Sequence, residues 1–137
     1  MAALSGITAV RPTQSTIYAP APVYGATIAA GQPVYQDTTD SLWKLASCAS
    51  TSAVAAAKGI AMTPGVSGGY GIVATGGSII LVGTTAAVGM DYHVGATAGT
   101  IVPTADLAST NYNTHLGVAA TATQLDLYIK ATGIAKA

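Results

Sequence analysis

Gln124-Leu125-Asp126-Leu127-Tyr128-Ile129-Lys130 decides how this chain folds. Leu125, Leu127 and Ile129 alternate with Asp126, Tyr128 and Lys130. On a helix, three aliphatic side chains two residues apart would spread around the axis. On an extended strand they line one face, and the polar set lines the other. The stretch therefore predicts a half-buried β-strand. Such a strand is stable only beside partners that share its apolar face.

Outward from it the chain reads as short strands broken by glycine. The runs are Ala26–Ala30, Pro33–Gln36, Leu42–Ala46, Gly59–Met62, Gly71–Ala74, Ser78–Val82, Tyr92–Val94 and Thr114–Ala119. Gly31, the Asp37–Asp40 cluster, Pro64-Gly65, Gly76-Gly77, Gly83, Gly89, Gly95–Gly99 and Gly117 are read as the breakers. Strand signals at this spacing predict an all-β fold, a compact sandwich or barrel-like domain. One stretch differs. Thr51–Lys58 is Ala-rich, with Ser50 or Thr51 as N-cap and Gly59 as a stop, and predicts at most one short helix. A second short turn is expected at Thr104–Ala108.

Residues 1–24 have a different character. Pro12, Pro20 and Pro22 restrict the backbone, and Ala19-Pro20-Ala21-Pro22 favours an extended course. Ile7, Val10, Ile17, Tyr18, Val23 and Tyr24 are too apolar for a solvated tail. The reading is an extended N-terminal arm over 1–24 and a β-rich domain over 25–137. The arm is expected to lie on a neighbouring subunit or partner, with Ile7, Val10, Ile17, Tyr18 and Tyr24 as its contacts.

Charge is scarce. Five Lys/Arg and five Asp serve 137 residues, the net charge is zero, and Glu is absent. A compact monomer of this mass exposes about 6,500 Å², or about one charge per 650 Å², far sparser than an ordinary soluble surface. No apolar run approaches the roughly 18 residues that span a bilayer. A neutral, half-hydrophobic chain without a membrane segment predicts association with other protein, including copies of itself. Arg11, Lys44, Lys58, Lys130 and Lys136 are too few and too scattered for a nucleic-acid surface. Met1–Gly6 lacks the basic and apolar regions of a secretory signal, so synthesis in a cytoplasm is expected. Cys48 stands alone and reads as a small buried hydrophobe rather than part of a disulfide framework.

Motifs of chemistry are weak. Gly65-Val66-Ser67-Gly68-Gly69 satisfies Gly-x-Ser-x-Gly, but Pro64 precedes it and an apparent strand follows it, where a hydrolase needs strand before and helix after. Gly68-Gly69-Tyr70-Gly71 has no following Lys and no βαβ frame for a phosphate. Asp91 and His93 share one strand face, and His115 could approach them as a third metal ligand. A polar strand face or a subunit contact is the simpler reading. No catalytic residue, cofactor or metal is expected.

The order Gly31-Gln32-Pro33-Val34-Tyr35-Gln36-Asp37, Leu42-Trp43-Lys44-Leu45-Ala46, Lys58-Gly59-Ile60-Ala61, Leu116-Gly117-Val118-Ala119 and Leu125-Asp126-Leu127-Tyr128-Ile129 resembles the head decoration (cement) proteins of tailed bacteriophages. Physically, Gly31, Pro33 and Asp37 read as turn, strand start and next turn. Trp43 and Leu45 should face one way with Lys44 opposite, and Gly117 should mark a close backbone approach or a bulge. The resemblance implies a structural virion protein on the outside of the phage head. Its partners would be the major capsid protein and further copies of itself, often as a homotrimer. Similar modules on tails and fibres leave a second function open, recognition of a host receptor or glycan.

Overall fold

The computed structural model describes residues 3–135. Ten strands follow in chain order: β1 (Ala9–Pro12), β2 (Ile17–Tyr18), β3 (Pro33–Gln36), β4 (Trp43–Leu45), β5 (Gly59–Ala61), β6 (Val73–Val82), β7 (Asp91–Val94), β8 (Ile101–Pro103), β9 (Tyr112–Ala119) and β10 (Gln124–Ala135). One short helix, α1 (Ser52–Ala55), and a 3₁₀ turn at Thr104–Asp106 are inserted between them. Every pairing between two of these strands is antiparallel, and the sheet curls into a half-barrel, so the all-β expectation holds.

β6 organises the molecule. Its C-terminal half pairs with β1 and β10, as Ile79 faces both Pro12 and Leu125. Its N-terminal half pairs with β2 and β5, as Ala74 faces both Tyr18 and Ile60. One residue can pair twice only across its two edges, so the arm runs along one edge of β6 while β10 and β5 share the other. From β10 the sheet continues through β9 and β7 to β8, and from β5 through β3 to β4. Gly76-Gly77, expected to break the chain, instead lies inside β6 where the two wings meet. Gly77 has φ +71°, and a Cβ there would strike the Ser15 carbonyl of the arm. Glycine lets the strand turn between wings without ending it.

The buried side chains form two clusters, the larger drawing on both wings. The larger cluster gathers Leu4, Val10, Ile60, Ile79, Leu81, Tyr92, Val94, Ile101, Leu116 and Leu125, with Cys48 among them. Burial pushes the Cys48 thiol pKa up. Leu127 and Ile129 pack against this cluster from β10, as the alternation requires. The smaller cluster holds Tyr24, Ile28, Val34, Trp43, Ala61 and Val73, with Leu45 against it. Lys44 points the other way, 2.9 Å from Asp37 and 3.1 Å from Asp40. Gly117 pairs with Leu127, and a Cβ there would meet the Asp126 carbonyl, which is the close approach that position predicts.

Several expectations change. Ala26–Ala30 is no strand; only Ile28 makes a bridge, to Gly65. The helix is capped by Thr51, whose Oγ1 accepts from Val54 N, but it ends at Ala55, with Ala56 as its C-cap, and does not reach Gly59. β10 runs five residues beyond Lys130. The arm is extended but is not a separate unit. Thr8 N donates to Val82 O, β1 and β2 follow β6, and Leu4 N reaches Ile101 O at the far edge strand β8. Farther on, Trp43 N donates to Val23 O and Gly25 N to Trp43 O, tying the arm to the other edge strand β4. Val10 (8% exposed) and Tyr24 (0%) are therefore core residues of this chain, not contacts for another, and Ile7 packs against the larger core. Their own β-sheet offers these side chains the nearest apolar surface.

Candidate interaction surface

The groups with chemical potential fall apart in space or are already engaged. Ser67 is exposed in the loop between β5 and β6, next to Gly68 at φ +87°, with neither a strand leading into it nor a helix leaving it. Asp91, His93 and His115 do meet, because the β7–β9 pairing slips by one residue between Tyr92 and His93 and so sets His93 opposite His115. His115 Nε2 lies 3.2 Å from Asp91 Oδ1, and its Nδ1 lies 2.8 Å from the Tyr128 carbonyl. The His93 ring stands edge-on to that of His115 at 5.3 Å, with Nε2 2.8 Å from Thr104 Oγ1. Three of the four ring nitrogens thus face oxygen partners. Among the described residues no group of three His, Cys, Asp or Glu is arranged to hold a metal.

His93 is the most perturbed member. It is 5% exposed, and burial holds its pKa below the usual histidine value, helped by His115 and opposed by Asn113 and Asp91. Its Nδ1 and the Asn113 Oδ1 are both buried and adjacent, without the alignment of a full hydrogen bond. The arrangement is a packed polar patch that keeps β7, β9 and the 3₁₀ turn together.

The surface itself is more informative. Among the described residues, eight large hydrophobic side chains are exposed, and five of them are Ile17, Tyr18, Val66, Tyr70 and Ile72. All five come from two uninterrupted tracts without a charged residue, 12–36 and 59–90. The sheet register sets the two tracts side by side. Tyr18 pairs with Ala74, Ala19 N donates to Val73 O, Gly71 N donates to Pro22 O, and Val23 bridges Tyr70. Between them lies an open hollow of about 390 Å³ lined by Tyr18, Ala19, Ala21, Pro22, Gly71 and Ile72. The Tyr18 phenol is the only polar side-chain group in that lining.

Of the five arm residues expected to contact a partner, Ile17 (59% exposed) and Tyr18 (48%) remain available. Tyr70 and Ile72 were not anticipated. Their signal is visible in the sequence: Tyr70 stands between Gly69 and Gly71, and Ile72 directly follows, in a glycine-rich stretch with few side chains to cover them. No protein-family model matches the chain, and no curated protein is similar to it.

Proposed function

We propose that this is a structural, non-catalytic virion protein, a capsid decoration protein that binds the outside of an assembled phage head and stabilises the shell. The major capsid protein is its partner, and it self-associates on the particle as a trimer. The observation that carries the reading is the uncharged apolar surface along the arm. An ordinary monomer has little use for five exposed large hydrophobes in charge-free surroundings. Protein contacts give such side chains a place out of water, and obligate contacts are richer in them than ordinary surface. The curled sheet, tied at both far edges by the arm, supports the reading further, because it makes a stiff module with few strand edges to pair wrongly.

The test is copy number. In purified particles the chain should be present in a fixed, high ratio to the major shell protein, and heads stripped of it should burst at lower temperature. A second reading, a tail or fibre module for a host receptor or glycan, is favoured by the exposed Tyr18, Tyr70 and Tyr128. A few copies per particle, confined to the tail, would establish that reading and overturn the first.

A further inference from the structure

We propose that Thr104 is a modification site, whose hydroxyl, activated by His93, takes the acyl group of an activated ester. Thr104 opens the 3₁₀ turn and is exposed, while His93 behind it is buried. Thr104 Oγ1 lies 2.8 Å from His93 Nε2. The other ring nitrogen, Nδ1, adjoins Asn113 Oδ1, and neither atom has another hydrogen-bond partner among the described residues. An amide oxygen accepts and cannot donate, so it draws the ring proton to Nδ1. Nε2 is then bare and accepts from the threonine hydroxyl. A nucleophile, a base and a group that orients the base thus follow one another from the surface inward. Burial keeps the imidazole neutral near pH 7, the state that a base requires.

Thr104 also borders a hollow of about 350 Å³, lined besides by Leu107, Asn113, Thr132, Ile134 and Ala135. None of these side chains is charged and half of the lining is apolar, which suits a short acyl chain. In the transfer, Oγ1 bonds to the acyl carbon, and the bond from that carbon to its leaving oxygen breaks. The hydroxyl proton passes to His93 Nε2 and from there to the departing oxygen, which leaves as an alcohol. Pro103, just before Thr104, has no N–H to steady an oxyanion. The donor must therefore bring a good leaving group. The threonine ester that forms carries a poor one and persists, so each chain takes one acyl group without turnover. Nothing in this chemistry depends on the decoration reading, and a single transfer per chain leaves that structural role intact.

The experiment incubates the full chain with p-nitrophenyl butyrate and locates the adduct by mass spectrometry of its peptides. One butyryl group on Thr104 is expected. Ser67, an exposed and less hindered hydroxyl in its loop, should stay free. The rate of acylation should be level above pH 6.5, where His93 is neutral, and fall below it. The titratable groups that face His93 are His115 from β9 and Asp91 from β7, with Lys130 of β10 opposite His115. A hydroxyl without a base would instead gain about tenfold per pH unit, as its alkoxide fraction grows. Thr104→Ser should retain the reaction, Thr104→Ala should remove the adduct, and His93→Gln should slow it roughly hundredfold or more. The pH profile is read on the parent, so it decides the matter even where His93→Gln does not fold. No adduct at Thr104, an adduct spread over surface hydroxyls, or a rate that climbs steadily through pH 8 would overturn the proposal and leave decoration standing.

Discussion

Single residues show how much of this fold depends on contacts made far along the chain. Tyr24 is fully buried, and its hydroxyl donates to the Thr63 carbonyl at 2.8 Å, joining the arm to the segment before β6. Tyr24→Phe keeps the ring and strands the carbonyl, and should cost about 1 kcal/mol in denaturant unfolding. Gly77→Ala should cost more, about 2 kcal/mol or above, since the new methyl meets backbone and the φ is left-handed. His93 gives a pH signature. Its folded pKa is depressed below the ordinary value of 6.5, so between those two values the unfolded chain binds the proton and the folded chain does not. The stability it contributes is whole above pH 6.5 and declines as the pH falls toward the folded value. The groups that face it are His115, Asp91, Thr104 and Asn113. Melting temperature followed between pH 7 and pH 5 should drop for the parent and drop less for His93→Gln. An equal drop in both would assign the effect to other groups.

Among the elements, the arm carries the most surprising role. It reads in isolation as a strap for some other molecule. In the fold it runs along the open edge of β6 and reaches β8 at one end and β4 at the other. Without it, β6 would present a ten-residue edge of unpaired backbone groups, the kind of edge that recruits other chains. Deleting residues 2–24 should therefore not yield a folded domain that merely fails to bind. It should yield an aggregating or unfolded chain, because the same cut removes Leu4, Val10 and Tyr24 from the two cores. Full burial of such side chains is worth about 1.5–3 kcal/mol each, so three of them match a large part of a domain's net stability of about 5–15 kcal/mol. A truncated protein with native circular dichroism and a cooperative melt would show the arm to be dispensable.

For the molecule as a whole, the governing quantity is charge. Ten charged residues serve a folded surface of 6387 Å². Three of the ten are spent on one another in the Lys44, Asp37 and Asp40 cluster, where Lys44 holds the Asp37 carboxyl pKa below its usual range and the Leu42 backbone N–H, with Lys44, does the same for Asp40. An association built on the remaining uncharged surface should be insensitive to sodium chloride, since there is little Coulomb attraction to screen, and should tighten in ammonium sulfate. Occupancy of phage heads measured across a salt series checks this. A steep loss with added sodium chloride would mean that charged groups carry the contact.

The alternation in Gln124–Lys130, the glycine-spaced strand runs and the poverty of charge are local properties, and they sufficed for the all-β class, for most strand positions and for the near-absence of helix. Period two survives any tertiary arrangement that buries one face of a sheet, which is why Leu125, Leu127 and Ile129 could be placed without coordinates. The fate of the arm could not. Val10 and Ile17 are alike in the sequence, yet one is 8% exposed and the other 59%. Only the antiparallel register with β6 separates them, since it sets Val10 opposite Leu81 and Ile17 opposite Gly76. Ile101–Pro103 is short and ends in proline, and it becomes a strand by pairing with β7. Gly76-Gly77 looks like a break and is a bend, because two wings must meet there. Tyr18 and Ile72, more than fifty residues apart, become neighbours through that same pairing. Local patterns state what each segment can be; which segments bury each other depends on a register that no short stretch contains.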